Sequence, residues 1–240
     1  MAKDILSFEQ VYAGYGALTI LNGFNAQIER GKVTTLIGAN GAGKSTVFKT
    51  LFGLAELRSG QIRLAGEPVA GLPAKELLAR GVAYVPQGRN LFPTLTVEEN
   101  LELGGVTLRS SLRRSRMEPV WEHFPRLYER RARQASTLSG GEQKMLEIGR
   151  ALLLEPRLLL VDEPSIGLSP KLAQAVFGTL RALADAGGVT VLMVEQNVKS
   201  ALAASHHAIA MEGGRAALEA PAGDILSHPQ IRSVFLGGAR

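Results

Sequence analysis

The sequence predicts an α/β fold, a mostly parallel sheet with helices on both faces, and three observations carry that prediction. Apolar strand-like runs alternate with helical stretches over most of the chain, the pattern of a sheet built from strand–helix–strand units. One run, Val33–Ile37, leads straight into a glycine-rich turn and a helix-like segment. Another, Arg157–Val161, is apolar after its first residue and ends against two adjacent acids, Asp162 and Glu163.

In chain order, Ile5–Val11 and Phe24–Ile28 alternate apolar and polar residues and read as half-exposed strands. Val33–Ile37 is a buried strand, and Ser45–Leu51 a helix that Gly53 stops. Gln61–Leu64 and Val82–Val85 are further strands, with a helix over Pro73–Arg80 between them. The pattern changes at Thr96, where Thr96-Val-Glu-Glu99 is a capping-box signature opening a helix. Arg109–Gln134 then spaces Val120, Trp121, Phe124, Leu127 and Tyr128 on one helical face and is rich in arginine, so it reads as a helical insertion. Helix Gly141–Leu153, strand Arg157–Val161, helix Lys171–Ala186 and strand Val189–Val194 follow. Ser169-Pro170 caps the second of those helices and Gly187-Gly188 ends it. Residues 207–220 read as two edge strands around Gly213-Gly214, and Asp224–Phe235 as a last helix.

With 45% hydrophobic and 20% charged side chains over 240 residues, the chain has material for a sizeable core and is not a disordered one. Its net charge is +5, from 27 Lys+Arg against 22 Asp+Glu, compatible with an anionic ligand or surface and equally with an ordinary basic exterior. The absence of cysteine excludes a disulfide framework, a thiol nucleophile and a Cys-ligated metal. The start, MAKDILSFEQ, lacks the long apolar stretch of a signal peptide. ALLLEPRLLLV is interrupted by Glu155, Pro156 and Arg157, so nothing approaches the roughly 18 apolar residues of a spanning helix. A soluble, cytosolic chain is expected.

Chemistry enters at Gly38-Ala-Asn-Gly-Ala-Gly-Lys44-Ser45, which fits G-x-x-x-x-G-K-[ST] in full and lies between a strand and a helix. Glycines let backbone N–H groups turn inward as an anion nest, and the following helix points its positive end at the same place. Gly38, Asn40, Gly41, Ala42, Gly43, Lys44, Ser45 and Thr46 are the candidate phosphate-binding residues. Lys44 places a cation on the outer phosphates and the Ser45 hydroxyl suits Mg²⁺. Side chains alternate along a strand, so Asp162 and Glu163 face different ways. Asp162 suits the Mg²⁺ shell, and Glu163 suits a water in line with the γ-phosphate. Together these features point to a nucleoside triphosphatase.

Leu138-Ser139-Gly140-Gly141-Glu142-Gln143 resembles the signature motif of the ABC ATPase family, placed before a helix and shortly ahead of the Asp-Glu strand as in that family. Alone, it is a second glycine-rich helix start able to receive phosphate. The resemblance covers essentially the whole chain and implies a P-loop NTPase (RecA-like) core with an N-terminal antiparallel β subdomain and an inserted α-helical subdomain. It implies a single domain over 4–237, with 1–87 and 157–240 as the catalytic core and 88–156 as the helical part. It further implies a two-fold dimer holding two ATPs, in which Ser139, Gly140, Gly141 and Glu142 close on the partner's nucleotide.

Residue by residue, Tyr15 stands where the family stacks an aromatic on adenine, with Tyr12 competing for that place. Gln87 fits the Q-loop glutamine that touches metal and water, and Ser165-Ile-Gly167-Leu168 fits the D-loop. The family's switch histidine is replaced by Gln196, and His123, His206, His207 and His228 all lie elsewhere. A glutamine amide donates a hydrogen bond but is not protonated as imidazole is. The resemblance therefore implies catalysis by Glu163 with Gln87 and Gln196, and Mg²⁺ on Ser45, Gln87 and Asp162.

The run Tyr84–Leu101 together with Glu195-Gln196-Asn197 is similar to one subgroup, the LivF-type ATPase of bacterial branched-chain amino acid importers. Urea-importer ATPases share much of it. This implies a peripheral protein on the inner face of the cell membrane, partnered by a second ATPase, homo- or heterodimeric, by two permeases and, indirectly, by a periplasmic binding protein. An exporter motor stays open within transport. The rival from another class is an ATPase acting on nucleic acid or ribosomes through the arginines of 109–133. Glu118, Glu122 and Glu129 interleave that cluster and argue for a solvated face, so no nucleic acid is expected.

Overall fold

A computed structural model describes residues 3–88 and 90–225. It contains two sheets. The first is antiparallel, with β1 (Asp4–Tyr15), β2 (Leu18–Glu29), β4 (Glu56–Leu64) and β5 (Glu67–Pro68) in the order β2-β1-β4-β5. The second has six strands in the order β10-β9-β3-β8-β7-β6. They are β3 (Val33–Gly38), β6 (Val82–Val85), β7 (Leu158–Asp162), β8 (Thr190–Glu195), β9 (His207–Glu212) and β10 (Arg215–Pro221). All are parallel except β10, which runs back along β9.

β3, β7 and β8 are buried along their whole length, as strands covered on both faces must be. Alternation then divides their side chains between two cores. Leu36, Leu158, Leu160, Leu192 and Val194 join Phe8, Phe24 and Phe48 under the antiparallel sheet. Val33, Leu159, Val161, Val191 and Met193 face the other way, onto the helices.

Two helices pack on the first side, α1 (Lys44–Leu51) and α2 (Ala74–Ala79). The opposite side holds α3 (Val97–Gly104), α4 (Ser110–His123), α5 (Pro125–Glu129), α6 (Gly140–Leu152) and α7 (Pro170–Asp185), with Leu101, Val120, Phe124, Leu146, Ile148 and Phe177 in one cluster. The short α8 (Val198–Ala204) and α9 (Ala222–Ile225), with a single 3-10 turn at Ala135–Thr137 ahead of α6, complete the described elements.

Four expectations are corrected. β1 and β2 run well beyond Ile5–Val11 and Phe24–Ile28, because β1 carries bulges around Val11 and Tyr12, with Gln10 at φ 49; each bulge flips the phase of the apolar pattern. Arg109–Gln134 is not one helix. Phe124 precedes Pro125 and leaves the helical region at φ −129, ψ 65, so Val120, Phe124 and Leu127 are buried while the exposed Tyr128 meets the half-buried Trp121 edge-on at 5.7 Å. Only one of the two strands in 207–220 is an edge, since β9 pairs in parallel with β3. Between β8 and β9 the chain forms α8, a helix the apolar pattern does not announce. The last predicted helix, Asp224–Phe235, falls from residue 226 onward outside the described residues.

Candidate active site

Parallel strands end together, and four adjoining ends build this site, as expected at the carboxyl edge of such a sheet. β3 delivers the phosphate loop, β6 delivers Gln87, β7 delivers Asp162 and Glu163, and β8 delivers Glu195 and Gln196.

The loop turns into α1 through Gly43, the N-cap residue, at φ 96. A side chain there is strained by that angle and crowded by Leu21. No side chain caps α1, so the first-turn N–H groups of Lys44, Ser45 and Thr46 are left for a ligand. Lys44 is buried, and its Nζ folds back to donate to the Gly38 carbonyl at 2.8 Å and the Ala39 carbonyl at 3.0 Å. Burial pulls its pKa below the ordinary lysine value, against the opposing pull of Glu163, Asp162 and Glu195. Asn40 and Gly41 are exposed while Ala42, Gly43 and Thr46 are buried.

The floor of the loop comes from the far end of the chain. In the β9–β10 turn, Gly214 N donates to the Ala42 carbonyl at 3.2 Å, and Asn22 N on β2 donates to the Gly214 carbonyl at 3.0 Å. A Cβ on Gly214 would lie 1.9 Å from the Ile20 carbonyl oxygen, so only glycine fits between sheet and loop.

The two acids part company as alternation requires. Asp162, 2% exposed, accepts from Ser45 Oγ at 3.1 Å and from the Tyr84 hydroxyl at 3.2 Å. Burial pushes its carboxyl above the usual range; those two hydrogen bonds and Lys49 pull the other way. Tyr84 is pushed up in turn, by burial and then by Asp162. Glu163 sits at φ 47, uncommon for a residue with a side chain and typical of strained functional turns. Its carboxylate accepts from two amides, Gln87 Nε2 at 2.7 Å and Gln196 Nε2 at 2.6 Å.

Ser45 and Asp162 offer Mg²⁺ an alcohol and a carboxylate oxygen within hydrogen-bond distance of each other, while the amide nitrogen of Gln87 is turned to Glu163. That hard-oxygen set fits a cation that takes its other ligands from phosphate and water. Among the described residues there is no group of three His, Cys, Asp or Glu that could cage a metal alone.

Tyr15 stands 40% exposed at the end of β1, whereas the Tyr12 hydroxyl closes over Gly23 in the β1–β2 hairpin. Ser139, Gly140, Gly141 and Glu142 are not brought to this edge. Ser139, Gly141 and Glu142 line a cavity of about 650 Å³ with His123, Arg126 and Lys171, and Gly141 packs on Leu172. Ser139 and Glu142 form a capping box. The Glu142 carboxylate accepts from Ser139 N at 2.9 Å and Oγ at 2.8 Å, and Arg130 approaches it at 3.3 Å.

Two residues escape sequence reasoning. Tyr84 is one. The other is Glu195, 1% exposed, whose carboxylate accepts from Ser165 N at 2.8 Å, Gln196 N at 3.0 Å and Asn197 N at 3.2 Å. It ties the turn after Glu163 to the turn bearing Gln196. An acid closing an otherwise apolar strand was the available signal.

Fold and site together define a nucleotide-binding ATPase cassette. The ABC transporter family description matches residues 21–166. The chain is 44% identical over 98% of its length to the whole of the high-affinity branched-chain amino acid transport ATP-binding protein BraG of Pseudomonas aeruginosa. It is 40% identical over 94% of its length to a probable branched-chain amino acid transport ATP-binding protein, LivF, of Archaeoglobus fulgidus, covering 95% of that protein. An ATP-binding cassette of an ABC transporter solved in its ADP conformation superposes with a TM-score of 0.90 at 26% identity, over 99% of this chain and 100% of that one. The chain belongs to the ABC transporter family, as one of its nucleotide-binding ATPases.

Proposed function

We propose that this chain is the ATP-hydrolysing motor of an importer for branched-chain amino acids. It works as half of an ATPase dimer, peripheral on the inner face of a bacterial membrane, beneath two permeases fed by a periplasmic binding protein. One observation carries the chemistry: Asp162 faces Ser45 of the phosphate loop, while Glu163, one residue on, is held by Gln87 and Gln196. The cargo class rests on what the BraG and LivF relatives are named for; urea is the alternative within import.

In this reading the first-turn N–H groups of α1 and the Lys44 ammonium grip the phosphates, and Tyr15 stacks on adenine. Ser45, Asp162 and Gln87 would hold Mg²⁺, which would supply positive charge against the phosphates. Glu163 takes a proton from water as the water oxygen bonds to the γ-phosphorus. The bond from that phosphorus to the bridging oxygen breaks, leaving ADP and phosphate. Gln196 donates to Glu163 and takes no proton, so its work is to aim the carboxylate. Ser139, Gly140, Gly141 and Glu142 complete the site of the partner subunit, and residues 88–156 act as the helical subdomain that moves against a permease.

The arginines of 109–133 do not favour nucleic acid: Arg116 pairs with Glu155 at 2.8 Å, Arg130 with Glu142 at 3.3 Å, and Arg131 lies over the Tyr128 ring. Replacing Glu163 with Gln keeps ATP binding and cuts hydrolysis by about 10²–10⁴-fold, the usual worth of a general base; wild-type turnover sinks the base assignment. Pull-down from gently solubilised native membranes should yield polytopic permeases and a second ATPase. Recovery of ribosomes or nucleic acid without membrane protein overturns the transport reading.

A further inference from the structure

Two charged side chains lie where α6 should be purely apolar. Lys144 and Glu147, one turn apart on the helix that Ser139 opens, are 5% and 6% exposed and paired to each other. Neither charge is spent on the pair alone. Lys144 Nζ also donates to the Gly88 carbonyl at 3.3 Å, and the second carboxylate oxygen of Glu147 accepts from Asn90 N at 2.7 Å. From one turn further along α6, Arg150 donates to the Asn90 carbonyl at 2.6 Å. The Asn90 side chain reaches back to the carbonyls of Pro86 and Gln87.

A buried ion pair gains little over apolar packing, but breaking its hydrogen bonds strands a charge in the interior. α6 therefore cannot shift without taking the backbone at 88 and 90 with it. That backbone carries Gln87, whose amide lies 2.7 Å from Glu163. We propose that Lys144 and Glu147 are positioning residues for hydrolysis, a buried clamp through which the glycine-rich start of α6 sets the orientation of Gln87 against Glu163. The inference rests on Glu163 being the base. It makes the two halves of the chain's chemistry mechanically one: whatever seats on Ser139–Glu142 is felt at Glu163 of the same subunit.

The test is a mutant cycle on the complex purified from native membranes, with ATP turnover as readout. Glu147→Gln is expected to lower kcat about tenfold, with KM for ATP moving less than about twofold, a coupling of the size contacting residues show. Combined with Gln87→Ala, it is expected to add nothing further, because both act through one amide. Should Glu147→Gln lower the Tm so far that the complex is lost, Lys144→Gln, which leaves the Asn90–Glu147 bond, must show the same non-additivity. Additive losses, or unchanged kcat in both variants, overturn the clamp. Glu163→Gln run alongside separates the two readings: if it hydrolyses normally, the base assignment fails, whereas an inactive Glu163→Gln with additive clamp variants removes only this inference.

Discussion

Two helices of this chain begin on glycine-rich turns, and their first turns are chemically opposite. α6 obeys every rule for a stable start: a serine N-cap, a glutamate closing the box, and that acid near the positive end of the helix. α1 breaks them. Its N-cap is a left-handed glycine, no side chain caps it, and its first residue is a lysine with no acid in the turn. A helix that forgoes its own cap keeps its N–H groups for something else, and a lysine at that end is tolerable only beside an anion. The helix that violates local preference marks the site; the one that satisfies it carries its own anion, Glu142, and holds its serine in reserve.

Removing the lysine breaks the contrast most severely. Lys44→Ala is expected to cut turnover by about 10²–10³-fold, as loss of one preorganised cation does, with little loss of stability because a buried ammonium goes too. A large fall in Tm with residual turnover intact would recast Lys44 as a structural residue. At the other start, Ser139→Ala removes a cap worth about 1 kcal/mol, or about 2–4 °C in a chain of this size. Glu142→Gln keeps the box geometry, so its Tm stays near wild type while the helix start loses a negative charge. With Glu142 read as part of the partner's site, ATP-dependent dimerisation, followed by light scattering, should then weaken. Unchanged or stronger dimerisation removes Glu142 from that site.

The smallest effect lies at the opposite end of β3 and serves as a control. His206 Nδ1 accepts from Val33 N at 3.0 Å, and its Nε2 lies 3.0 Å from Asp185. Burial holds its pKa below 6.5, with Arg181 and Lys32 adding to the shift and Asp185 opposing it. The neutral ring's stabilisation is thus whole above the unfolded value of about 6.5 and is lost as pH falls through the folded one. Chemical denaturation across that range should show a loss on the order of one hydrogen bond, about 1 kcal/mol, absent in His206→Gln.

What sequence conveyed about this molecule was what spacing can carry. The phosphate loop is legible because its glycines and Lys44 lie within eight residues, and the acids because they end one strand. The grip of Glu195 on Ser165 spans 30 residues and that of Tyr84 on Asp162 spans 78; neither leaves a periodic trace. The break at Phe124 was written locally, in Pro125, but five apolar residues at helical spacing outweighed it. β9 reads as an edge because the turn at Gly213-Gly214 shows only its hairpin partner, while its pairing with β3 is set by contacts some 170 residues apart.

Gly214 gives the chain a timetable. The phosphate loop is among the first parts to be synthesised, yet Ala42 receives its hydrogen bond from a turn that arrives late. At about 5–20 residues per second, roughly ten to thirty seconds separate the two on the ribosome. Through that interval the nascent chain holds a nucleotide motif without its floor. Stalled chains of increasing length should gain nucleotide protection only once the β9–β10 turn has emerged, which keeps a half-made motor from engaging the cell's ATP.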